Sequence, residues 1–130
     1  MADWVLKWND LYVAGCEYYP DACKRLIDYV RKNGLSAVEV VLEHHPDNPH
    51  DTNAVAVFAK TVTAGCFLKS TKKNKIGHIP AYTARDMVYF RNGGGGFRAT
   101  LAKAKKSRGE YPFDIKLDVY TDYKYKKKSK

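Results

Sequence analysis

Apolar and polar positions alternate most cleanly near the carboxyl end, where Phe113, Ile115, Leu117 and Val119 interleave with Asp114, Lys116, Asp118 and Tyr120. A period of two puts each set on its own face, so Phe113–Tyr120 predicts a strand with one buried and one wet side. Phe97–Ala104 predicts the strand before it, joined by turn material from Lys105 to Pro112. Ser36–Glu43 sets Val38, Val40 and Leu42 against Glu39 and Glu43, which predicts a third half-buried strand. The run AVAVFAK from Ala54 is almost continuously apolar and predicts a central strand covered on both faces. Trp4 to Trp8 alternates only weakly, and Leu11–Cys16 predicts a short strand entering Gly15 and the pair Tyr18, Tyr19.

The period lengthens twice. Ala22, Leu26, Ile27 and Val30 recur at helical spacing, with Asp21 as a cap after Pro20 and Asn33-Gly34 as the stop. Ala84, Met87, Val88 and Arg91 place a second helix over Ala81–Asn92, ended by four glycines, Gly93 to Gly96. Residues 61–75 hold four lysines and no acid, which predicts a basic loop insertion or a mobile hairpin. Short strands with a helix in each half predict a mostly β fold with two helices, a small OB-like antiparallel β-barrel of α+β class. A four-stranded sheet with two helices on one side is the alternative. The domain is expected to span 1–120, with a lysine-rich, disordered tail over 121–130.

Composition narrows the partners. The chain has 130 residues, 45% hydrophobic and 28% charged, enough for one core and unlike a disordered or fibrous chain. Twenty-three Lys and Arg against fourteen Asp and Glu give a formal charge of +9, which favours polyanionic partners, nucleic acid first. MADWVLKWND has an early acid and no leader-like apolar run, and no stretch reaches the roughly 18 apolar residues of a membrane span. An intracellular location, cytoplasm or nucleus, is the expectation. Cys16, Cys23 and Cys66 follow no zinc spacing and are expected to be reduced thiols.

The densest polar cluster is EHHPDNPHDTN, Glu43 to Asn53. His44, His45, His50 and Asp51 are metal-ligand types, but their spacing matches no helical or finger pattern. A hydrolytic His–Asp pair would need a nucleophile elbow, and no GxSxG stands in the chain. The simplest reading is a turn in which Asn48 and Asp51 accept backbone hydrogen bonds and Pro49 fixes φ, so neither metal nor cofactor is expected.

The run NPHDTNAVAVF, a basic spacer, then KIGHIP resembles the two signature segments of the HIRAN domain, and the upstream AGCEYY resembles that family's first strand and tyrosine pair. The likeness spans about residues 11 to 120. It implies a non-catalytic module that holds single-stranded DNA, at its 3′ end in the better understood members. In that resemblance Tyr18 and Tyr19 match the tyrosine pair, His50 takes the aromatic place after Asn-Pro, and Asp51 matches the acid that meets the 3′ hydroxyl. His78 falls in the Gly-His segment, Phe113 opens the last strand, and Lys75 belongs to the lysine spacer that would supply field near the groove. Two family cations are replaced, by Glu17 and Ala81, which leaves the phosphate contacts to the other lysines. A stand-alone module of this kind would need a helicase or nuclease partner, in DNA repair, replication or a mobile-element or defence setting. The alternatives are a protein-interaction or regulatory module of the same fold with a degenerate groove, and a small metal-dependent nuclease built on the histidine cluster.

Overall fold

The computed structural model describes residues 4–64, 69–92, 94 and 96–122. Among the described residues six strands form one antiparallel sheet: β1 Val5–Tyr12, β2 Glu39–His44, β3 Val55–Ala64, β4 Lys69–His78, β5 Phe97–Lys106 and β6 Phe113–Thr121. Their order is β1-β6-β5-β2-β3-β4. Helix α1 (Pro20–Asn33) lies between β1 and β2, and α2 (Ala81–Asn92) between β4 and β5. The fold is mostly β with two helices and OB-like, but the sheet does not close into a barrel: the edge strands β1 and β4 do not pair along their length. One isolated bridge, Ala14 with His78, links the segment after β1 to the end of β4.

Inward side chains build one core. Val57, Leu117 and Val119 of the sheet are fully buried with Ile76 and Cys23, and α1 adds Leu26 and Ile27 while α2 adds Ala84 and Met87. The alternation in β6 thus sorts as predicted, with Ile115, Leu117 and Val119 inward. In β3, Val55, Ala56 and Val57 are all buried, as a strand covered on both faces requires.

Three boundaries differ from those the sequence predicts. Helix α1 begins at Pro20 rather than after an Asp21 cap, because proline is well suited to the first helical position, where an N–H would have no partner. The first strand is Val5–Tyr12, not Leu11–Cys16; beyond Tyr12 the chain turns into a 3-10 segment, Cys16–Tyr18, after Gly15 at φ 75°. Ser36 and Ala37 belong to a second 3-10 turn, and β2 starts at Glu39. Of the two readings of 61–75, a loop or a hairpin, the described part fits the hairpin, since β3 and β4 pair from Ala56–His78 out to Ala64–Lys69. Lysines suit such a strand, because charged side chains on a sheet edge discourage pairing with another chain. Thr121 ends β6, while Cys66 and the tail from residue 123 lie outside the described residues.

Candidate nucleic-acid interface

Three chain segments meet where β4 ends. The first is the turn between β2 and β3. Asn48 Oδ1 accepts the backbone N–H of His50 at 2.8 Å and of Asp51 at 3.2 Å, and Asp51 Oδ1 accepts the N–H of Asn53 at 2.9 Å. These are the local bonds that the Asx chemistry of the sequence predicts. They hold Asp51 half-buried on a fixed turn and leave His50 exposed. The three histidines take separate roles: His44 Nε2 bonds the Thr52 carbonyl, His45 Nε2 lies 3.4 Å from Glu43 Oε1, and His50 uses its backbone. Among the described residues no three His, Cys, Asp or Glu side chains are grouped to hold a metal ion.

The second segment runs from Val13 to Tyr19. Val13 N–H donates to Ile115 of β6 at 2.9 Å, while Ala14 and His78 exchange two backbone bonds of 2.8 Å each, so two residues straddle the gap between the sheet's ends. The 3-10 turn that follows is fastened by thiols. Cys16 Sγ donates to the Val13 carbonyl and Cys23 Sγ to the Ile76 carbonyl. The contact with Cys16 sulfur and then burial hold the Cys23 thiol well above the usual thiol range. Tyr18 is left 78% exposed, whereas Tyr19 is half-buried and packs against the core.

The third segment is the end of β4. Lys75 Nζ stands 5.4 Å from the centre of the Tyr19 ring, and the His78 ring lies 6.4 Å from it, tilted by 55°. His78 is pushed below the usual histidine range, first by burial, then by the Lys75 ammonium and the neighbouring His45, with the Asp51 carboxylate pulling the other way. Tyr19 is thus brought beside Lys75 and His78, and Asp51 within electrostatic reach of His78. The imidazole is neutral at pH 7, and because its folded-state pKa is depressed, the stability it contributes is present above the ordinary histidine value and is lost as pH falls through the folded one. In a histidine-resolved NMR titration, His78 will titrate below the ordinary histidine value, and Lys75→Met will shift its midpoint upward by removing a neighbouring cation. A midpoint unmoved by that substitution contradicts the arrangement.

Phe113 does not join this group. It opens β6 and lines a cavity of about 540 Å³ with Tyr12, Gly15, Glu17, Tyr111 and Asp114. Tyr12 and Tyr111, 58% and 63% exposed, add two rings there that periodicity did not single out. Lys103 bonds Asp114 at 2.7 Å and holds its carboxyl below the usual range. Of the spacer lysines, Lys73 pairs with Glu43 and covers the Phe58 ring at 4.8 Å, while Lys72 lies beside α1 residues. Among the described spacer lysines, Lys75 is the one whose contact points to the tyrosine side.

An OB-like sheet with an open seam, where Tyr19, Lys75 and His78 meet, is an architecture that small nucleic-acid-binding modules use. The chain belongs to the HIRAN family, whose HIRAN-domain model matches residues 9–122. HIRAN domains are DNA-binding domains, generally not catalytic on their own. Neither the curated proteins nor the solved structures contain a match to the chain. Among the described residues no helix is long and apolar enough to cross a membrane.

Proposed function

We propose that this protein is a non-catalytic module that binds single-stranded DNA and holds its free 3′ end at the seam between β4 and the Val13–Tyr19 segment. The observation that carries this reading is the meeting of Tyr19 with Lys75 and His78, with Asp51 within electrostatic reach of His78. Ring faces stack on any base, so Tyr18, Tyr19, His50 and Phe113 bind without sequence preference. Lys75 supplies a phosphate contact, and neutral His78 can donate or accept a hydrogen bond at the same place. Asp51 is selective rather than attractive. A carboxylate repels a phosphate and accepts a hydroxyl, so beside a terminal nucleotide it favours a free 3′ hydroxyl over a continuing strand. Such a module acts with a helicase or nuclease partner, in repair, replication, mobile-element or defence processes.

Fluorescence anisotropy with a labelled single strand tests the division of labour. Tyr19→Ala will weaken binding by about 1–3 kcal/mol, the usual worth of one base platform. Lys75→Ala will weaken it less and reduce the slope of log K against log salt by about 0.7, the contribution of one phosphate contact on a single strand. If lysine substitutions abolish binding while Tyr18, Tyr19 and Phe113 substitutions change nothing, the protein is a nonspecific polycation, and the protein-interaction reading replaces this one.

A further inference from the structure

We propose that the outward face of α2, with the edge of β1 beside it, is a second contact for nucleic acid: a stacking track for the single strand leading away from the end held at the seam. The inference rests on the proposed function but uses none of its residues.

Helix α2 starts three residues after His78. Its inward face buries Thr83, Ala84 and Met87. Its outward face carries Tyr82 and Tyr89, which are 73% and 74% exposed. The two are seven positions apart, so they lie on one face about 10 Å apart along the axis. Surface helices normally put charged or small polar residues there, and exposed rings gain nothing from burial. Arg85 stands between them with its guanidinium 5.8 Å from the Tyr82 ring. Beyond Tyr89 the series continues, with Phe90 edge-on at 5.9 Å and Lys7 Nζ from β1 4.9 Å over Phe90 and 5.6 Å over Trp8.

Ring and cation therefore alternate along the helix and onto the strand. Bases stack on ring faces, and cations beside the rings meet phosphates, the combination used by sequence-tolerant single-strand binders. Asp86 is the acid on this helix; Arg85, Arg91 and Lys7 outweigh it. The chain's formal +9 complements a polyanion. A helix face laced with cations, rather than an apolar groove, favours nucleic acid over a protein helix, and in a duplex the base faces would be stacked away from these rings.

The test compares a short 3′-hydroxyl oligonucleotide of about four nucleotides with one of about twelve, within the range of site sizes for such folds. The wild-type protein will bind the longer strand more tightly. Tyr82→Ser with Tyr89→Ser will weaken long-strand binding by at least about tenfold and leave the short strand within about twofold. Tyr82→Phe with Tyr89→Phe will retain the gain, since the rings remain. Both tyrosines are exposed, and unchanged circular dichroism will show that the variants fold. Equal weakening on both lengths, or none on the longer strand, overturns the track; the second result leaves the face to a protein partner. Loss of 3′ preference on the short strand, with the length effect intact, counts against the seam and not against this face. No binding of either strand overturns both.

Discussion

Replacing Gly77 with alanine will lower stability by about 3 kcal/mol, the sum of overpacking and of hydrogen bonds stretched or lost. A Cβ at Gly77 would lie 2.5 Å from the Ala14 carbonyl oxygen and 2.7 Å from Val13 Cγ1. The first of these is backbone, which cannot swing aside as the end of a side chain can. Relief requires the Val13–Ala14 segment to move away from β4, which strains the two bonds between Ala14 and His78 and the bond from Val13 to Ile115. For a domain of this size the loss is a large share of the total, on the order of 10 °C in the melting temperature. Because the same segment carries the tyrosine turn, recognition of DNA will fall with it. Gly109→Ala is the control: its Cβ would meet only Ser107 Oγ at 3.7 Å, and denaturant unfolding should be unchanged. A loss below about 1 kcal/mol at Gly77 would mean that the seam is not held as described.

Asp51→Asn will remove most of the preference for a free 3′ end without unfolding the turn. The amide oxygen of asparagine can still accept the Asn53 N–H that Asp51 Oδ1 accepts at 2.9 Å. The charge is lost, and with it the repulsion of a terminal phosphate and the stronger bond to a hydroxyl. A hydrogen bond to a charged group is worth about 1.5–3 kcal/mol, so discrimination should fall by at least about tenfold. Affinity for strands without a free 3′ hydroxyl should hold or rise slightly. The variant has a second readout, since Asp51 is the group that raises His78, and the His78 midpoint will drop further when the carboxylate is gone. If 3′ preference persists in a variant with the lowered midpoint, Asp51 is near His78 but does not read the end.

Much of this arrangement was legible in the residues, for reasons that also explain what was not. Ile115, Leu117 and Val119 announced their strand because one face is buried and the other wet, and the core uses them that way. The Asn48–Asp51 turn was legible because short polar side chains bond their own neighbours, a local matter. The β4 half of the hairpin was less so. Its lysines carry no apolar period, and it is a strand because β3 pairs with its backbone. β1 was shifted for a related reason: it is an edge with register irregularities on either side of Trp8 and with Asp10 at φ 53°, so its side chains are mostly exposed and mark no face. The meeting of Tyr19 with His78 depends on the bridge from Ala14 across the open sheet, a contact between distant positions that no spacing encodes. For the same reason spacing does not show that Phe113, grouped with the tyrosines by resemblance, shares a cavity with Gly15 and Glu17 of their turn.

The most direct test of the central claim is the affinity of the unaltered protein for one single-stranded sequence made in two forms, with a 3′ hydroxyl and with a 3′ phosphate, at one salt concentration. The account predicts that the hydroxyl form binds at least about tenfold more tightly, the equivalent of about 1.4 kcal/mol. Equal affinity for the two forms, or tighter binding of the phosphate, contradicts it.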